Sequence, residues 1–353
     1  MKRILFVSVV VFVIGFMAPT GVIPATKKPA TVAELALYRG ADRQQLLEEG
    51  AKKEGTLVFY TSGILTQAVR PVIDSFEKKY PFIKVEVWRA GSEQLVPRIF
   101  EELKAGKLGF DVIENTQTGF LLMQERGGIL QPYYSPNFAF IEDDAITKAP
   151  EGAAFRTAFR ESGHSVGYNT KLLPKANLPK TYRDLLDPKW KGKVALAGSE
   201  NGVSFVGNML DTFGEDFMKR LANQKFDVHM VSARAILDMI INGEYLLSPT
   251  ITDAHVAATK PKGAPVDWVP LDPVHVNAGQ IAISTQARHP HAAMLFIDHE
   301  LSKESGEIHK AKGYISPRKD VAGEKTYRKN YGPYSVADSK RWRDAFGTYF
   351  MKK

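Results

Sequence analysis

The chain has 353 residues and a mass of 39.2 kDa, enough for two domains, and its 44 % hydrophobic and 24 % charged residues exclude a fibrous or disordered chain. It has no cysteine, which excludes disulfides, thiolate metal sites, a cysteine nucleophile and lipidation at an N-terminal cysteine. The net charge of +8 sits at the ends: ten basic and four acidic residues fall in 318–353, and Lys2 and Arg3 supply the rest. No basic stripe with interleaved aromatics crosses the body, so no nucleic-acid partner is expected.

Lys2 and Arg3 precede an apolar run from Ile4 to Met17, followed by Pro19, Gly21, Pro24 and the small residue Ala25. This is the pattern of a secretory signal peptide over 1–25, and the run is shorter than the ~20 residues that a membrane span needs. The mature protein is expected to be exported and, with no cysteine to lipidate, retained in a periplasm.

After a polar lead-in, strands and helices alternate. Leu57-Val58-Phe59-Tyr60 reads as a strand buried on both faces. Val69, Val72, Ile73, Phe76 and Tyr80 follow at helical spacing, with Pro71 in the first turn. Ile83, Val85 and Val87 form a second strand, Ser92 caps a helix carrying Leu95, Val96, Ile99 and Phe100, and Phe110–Ile113 is a third strand before a helix over 117–126. Three such units in a row imply a parallel sheet with right-handed crossovers. The alternation lapses over 131–163. It resumes with Val166 and Tyr168, a helix capped by Thr181, a strand at Val194–Ala197, helices near 203–224 and 233–242, and a strand at Tyr245–Leu247. Ala257–Pro265 reads as a loop, Ile281–Ile283 as a strand, Pro290 as a helix start, and Trp342 to Phe350 as an apolar stripe that docks on the body. The expected architecture is α/β with two lobes, each a mainly parallel sheet flanked by helices.

Ligands of open α/β sheets bind beyond the carboxyl ends of the strands, where helix N-termini present unpaired N–H groups. The rule selects Thr61 and Ser62 after the first strand, Arg89 and Ser92 after the second, and Asn115 and Thr116 after the third. In the second lobe it selects Ser199 and Asn201 in the turn 198–202, and Thr250, Thr252 and Asp253 after Tyr245–Leu247. Tyr168 and Arg234 complete the candidate ligand set. Each has a structural reading too: Ser62, Ser92 and Ser199 as helix caps, Asn115 and Thr116 as a turn, Arg89 and Arg234 as solvated side chains. His289, His291 and His299 read as a helix start with exposed imidazoles, so no metal site and no cofactor are expected. The chain has no Gly-x-Ser-x-Gly, phosphate-loop or His-Glu-x-x-His motif, so no catalytic residue is assigned and no enzyme is expected.

Glu54–Ser62, Phe110-Asp111-Val112-Ile113, Gly167–Thr170, Leu185–Lys193, Asn242-Gly243-Glu244, Ala292–Asp298 and Gly313–Arg318 stand in an order that resembles the extracellular solute-binding proteins of ABC importers. The group includes ferric-iron, phosphonate and polyamine receptors. The resemblance implies the type 2 periplasmic-binding fold, with 26–165 and 277–302 in one lobe, 166–276 and 303–353 in the other, and crossover strands near Ser165–Tyr168 and Asn277–Ile283. It implies a monomer that binds a small-molecule solute between the lobes and delivers it to a membrane permease. Ferric-iron members place a histidine, an acid and paired tyrosines where this chain has Ile64, Thr116, and Asp253 with Ala254. The expected solute is therefore a small polar anion such as a phosphate ester, phosphonate or carboxylate, with ferric iron, and an enzyme or a sensor on the same fold, as alternatives.

Overall fold

The computed structural model describes residues 28–323 and 327–351, so the expected signal peptide lies outside the described residues. Helices α1 (Val32–Ala36) and α2 (Arg43–Glu54) lead into β1 (Thr56–Thr61). A π turn over Leu65–Val69 runs into α3 (Arg70–Lys79), whose Pro71 sits in the first turn, where its missing N–H costs nothing. Strand β2 (Lys84–Arg89), α4 (Ser92–Lys104), β3 (Val112–Asn115) and α5 (Gln117–Arg126) follow. β1 pairs in parallel with β2 on one side and β3 on the other, as the alternation requires. Gly91 is the N-cap of α4, so Ser92 is its first helical residue and not its cap.

The stretch where the alternation lapses holds two short strands, β4 (Leu130–Gln131) and β5 (Ile146–Ala149), and then the 17-residue strand β6 (Ala153–Asn169). At about 3.3 Å per residue β6 is roughly 55 Å long. Its first part pairs antiparallel with β5 and its last part with β9 (Leu247–Thr252) and β10 (Val266–Val269). Strand β11 (Val274–Ser284) runs back antiparallel along β6 and pairs onward with β3. The sheet order is therefore β10-β6-β11-β3-β1-β2.

The second half is built on β7 (Ala195–Ala197), α6 (Glu200–Ala222), β8 (Asp227–His229), α7 (Ala233–Asn242) and α8 (Asp253–Thr259). β7 pairs in parallel with β8, and a parallel bridge joins Val194 to Leu247. The expected strand at Tyr245–Leu247 instead starts at Leu247 and runs to Thr252, and most of the expected loop after it is α8 with a 3₁₀ turn. The chain closes with α9 (Pro290–Glu300), α10 (Lys303–Ala311), β12 (Lys329–Asn330) and α11 (Val336–Phe346). The 303–353 stretch divides: α10 packs on α3 and α9, whereas α11 packs on α6 and also reaches α5.

Separate cores match this layout. Leu57, Phe59, Ile73, Phe76 and Phe296 pack between the first sheet and its helices, and Trp190, Phe205, Met209 and Trp342 form the core of the second half. The stripe around Trp342 does dock on the body, and Trp342 is fully buried against α6. No described helix is long and apolar enough to cross a membrane.

Candidate functional site

Where the two halves meet, a cavity of about 190 Å³ opens between the ends of β1 and β3, the middle of β6 and the starts of α6 and α8. Its electrostatic centre is an ion pair on two strands. Arg160 Nη2 of β6 donates to Glu114 Oε1 of β3 at 2.7 Å, with the side chains 11 % and 3 % exposed. The other Glu114 oxygen accepts from Thr61 Oγ1 at 2.5 Å and from the Ser62 backbone N–H at 2.9 Å. Glu114 is thus spent on holding the β1 turn and Arg160. Arg160 is not spent: Nη2 holds Glu114, while its buried Nε has no hydrogen-bond partner. Its guanidinium lies 5.1 Å from the centre of the Tyr314 ring, and both residues line the cavity. Burial pushes the Tyr314 phenol up, so it stays protonated at neutral pH.

His164 lies on β6 with Asn201 Nδ2 3.1 Å from its Nε2. Burial, helped by His275 and His255, holds His164 well below the usual histidine range, so it stands neutral. His255 is also shifted down, chiefly by burial. Among these lining residues Arg160 is the one permanent cation and Glu114 the one carboxylate. Two helix starts add partial positive charge: Thr116 is the N-cap of α5, and Asn201 lies in the first turn of α6. Among the described residues no group of three or more His, Asp or Glu is placed to hold a metal ion.

Of the residues selected by the strand-end rule, Ser62, Thr116, Asn201 and Thr252 line this cavity, and Ser92 lines a neighbouring compartment with Thr116 and Asn201. The others do not line it. Thr61 is fully buried beneath it, holding Glu114, and Asn115 is fully buried with Oδ1 accepting from Ser92 Oγ at 2.5 Å. Arg89 Nε donates to the Gly63 carbonyl at 3.3 Å and braces the β1 turn. Ser199 is the N-cap of α6, Asp253 is the first residue of α8, and neither lines the cavity. Thr250 lies inside β9 because that strand runs five residues further than expected, and it accepts from the Ala197 N–H at 3.1 Å. Tyr168 pairs with Leu247 and Asp267 in the second-half sheet, beyond the point where β6 passes the cavity. Arg234 is held by Asp238 Oδ1 at 2.8 Å and Thr259 Oγ1 at 2.6 Å on the outside of α7, so it is not the cation of the site. Ile64 and Thr116 also line the cavity.

Glu114, Arg160, Ser162, His164, Asn277 and Tyr314 are among the lining residues that the strand-end rule missed. Most lie within strands. Their signal was polarity inside strand sequence: Glu114 after Val112-Ile113, and the run Arg160-Glu161-Ser162-Gly163-His164 before Val166.

Residues 72–332 match the family of bacterial extracellular solute-binding proteins, and the chain belongs to that family. It is 27 % identical over 202 residues to an uncharacterized protein of Haemophilus influenzae, an alignment covering 51 % of this chain and 55 % of that protein. The chain thus spans about half the length of that curated relative. Its fold is that of iron-bound HitA from Pseudomonas aeruginosa, at TM-score 0.66 and 19 % identity, with 83 % of this chain and 97 % of that one covered. It is also that of AfuA from Actinobacillus pleuropneumoniae with fructose-6-phosphate bound, at TM-score 0.63 and 23 % identity, covering 85 % and 100 %.

Proposed function

We propose that this protein is the periplasmic receptor of an ABC importer and that it captures a small oxyanion, a phosphate ester, phosphonate or carboxylate, for delivery to a membrane permease. The observation that carries the reading is Arg160: a largely buried guanidinium with an unpartnered Nε, on the wall of a cavity between two halves. A buried donor left without a partner costs roughly 1–3 kcal/mol, a cost that an oxyanion on the free edge removes. The α5 and α6 helix starts favour the same sign of ligand. In this reading the solute is held by charge-assisted hydrogen bonds and released unchanged.

β6 and β11 both line the cavity, through Arg160, Ser162 and His164 and through Asn277 and Ala278. A solute that contacts Arg160 on β6 together with Asn201 on α6 and Thr116 on α5 binds the closed arrangement better than an open one, which is the condition for closure. Iron is the second reading, since HitA is an iron-bound neighbour and Tyr314 offers a phenol. Against it stand the single carboxylate, already paired, and the single phenol, already under a cation.

The test is a thermal-shift screen of the purified chain against phosphates, phosphonates, carboxylates and ferric citrate, repeated with Arg160→Met. An oxyanion present at about 100 times its dissociation constant is expected to stabilise the parent by roughly 2.7 kcal/mol and to leave the folded variant unshifted. An equal shift in both proteins, or a shift with ferric ion alone, refutes the assignment.

A further inference from the structure

The cleft continues past the cavity beside Arg160. Thr116, His164, Asn201 and Asn277 line both that cavity and a second chamber of about 390 Å³, twice its size. At roughly 30 Å³ per water, the first holds about six waters and the second about thirteen. A bare tetrahedral oxyanion fits inside the first and leaves the second to solvent.

The second chamber is chemically unlike the first. Val96, Leu122 and Val276 give it apolar surface, and Ser204 a hydroxyl. Its carboxylates, Glu93 and Glu200, are exposed, and Glu200 is 3.6 Å from Arg343. No permanently ionised side chain is buried in its wall, so a charged group placed there loses water without gaining a counter-ion. One buried polar group does want a partner. His275 on β11 is 5 % exposed and lines the chamber, and its Nδ1 has no hydrogen-bond partner. Its ring is fixed between His164 at 5.3 Å and Trp342 at 5.9 Å. Burial brings its pKa down to about 4, so it is a neutral ring with one N–H donor and one acceptor nitrogen.

We infer that the solute is bipartite: an oxyanion head, a phosphate monoester or phosphonate, beside Arg160, and an uncharged, hydroxyl-bearing organic body that fills the second chamber and hydrogen-bonds His275. The inference rests on the oxyanion reading above and names the class of molecule that satisfies both compartments. Inorganic phosphate and ferric ion satisfy only the first.

Calorimetric titration of the full chain with inorganic phosphate, glycerol 3-phosphate and a hexose 6-phosphate tests this. Affinity is expected to rise with the body, the hexose 6-phosphate binding at least about 100-fold more tightly than phosphate, near 2.7 kcal/mol. His275→Phe keeps a ring on Trp342 and is expected to weaken the hexose phosphate about tenfold while phosphate stays within twofold. Leu122→Trp, which fills the chamber, is expected to give the same split, and His275→Gln to recover part of the loss. Equal affinity for all three probes, or variants that weaken phosphate as much as the hexose ester, overturns the bipartite solute while leaving the oxyanion reading intact. Failure of all three phosphates to bind also overturns it. If Arg160→Met leaves phosphate and hexose phosphate binding unchanged, the oxyanion reading itself has failed.

Discussion

Replacing Glu114 by Gln separates an anion site from a cation site with one atom. Glu114 accepts from Thr61 Oγ1 at 2.5 Å, from the Ser62 N–H at 2.9 Å and from Arg160 Nη2 at 2.7 Å. The amide keeps an acceptor for the turn but loses the ion pair, and Arg160 then stands uncompensated. Taking an oxyanion on the free edge of that guanidinium to sit about 5 Å from the carboxylate, an effective dielectric constant of about 20 makes the repulsion removed about 3 kcal/mol. Relaxation of Arg160 and counter-ions offsets part of this, so anion affinity is expected to rise about tenfold to a hundredfold. The ligand-free fold is expected to lose about 3 kcal/mol, the lower end for breaking one side of a buried pair. Calorimetry with the tightest-binding anion from the screen measures the first effect, and urea unfolding with and without that anion measures both. A ferric site predicts the opposite sign, because a metal loses an anionic oxygen. A folded Glu114→Gln protein that binds the anion more weakly, or no differently, would refute the reasoning.

The remaining predictions concern single contacts. Arg234→Ala, which removes an exposed guanidinium held by Asp238 and Thr259, is expected to leave solute affinity within twofold and stability within about 1 kcal/mol; a tenfold loss on titration would place it back in the site. Gly202→Ala puts a Cβ 2.0 Å from the Ala197 carbonyl oxygen, so the turn into α6 must move, and a drop in both melting temperature and solute affinity is expected. Gly207→Ala meets Trp342 at 1.8 Å and is expected to cost roughly 1–3 kcal/mol in urea unfolding, against no loss if α11 packs elsewhere. Asp253 is pushed up to about 7 from its ordinary 3.8, chiefly by burial. The fold holds this proton more tightly than the unfolded chain does, so the stabilisation is full below about pH 4 and is lost as the pH rises through about 7. Asp253→Asn is therefore expected to gain on the parent by on the order of 3 kcal/mol between pH 4 and pH 8 in urea midpoints, and parallel curves would refute the shift.

The local elements were legible because their signals are local. β1 with its apolar run, α3 with Pro71 in its first turn, α5 over 117–126 and α7 ending at Gly243 follow from spacing and from glycine or proline at the ends. The parallel order of β1, β2 and β3 follows from the strand–helix alternation. Only the end of β6, around Val166 and Tyr168, was legible, and the rest was hidden for a physical reason. Arg156, Arg160, Glu161 and His164 interrupt its apolar pattern, and distant groups bond them in the buried strand: Gln117 bonds Arg156, Glu114 bonds Arg160, Tyr331 and Lys329 bond Glu161, and Asn201 bonds His164.

What the sequence determined by itself was the α/β class, the first parallel units and the likeness to solute receptors. These depend on neighbours in the chain or on residue identity. Only the tertiary structure placed Arg160, and not Arg234, on the cavity wall and Thr250 inside a strand. Each depends on which groups, tens or hundreds of residues apart, share a buried space, and pairing across that distance is set by packing and desolvation of the whole fold, which no local pattern encodes.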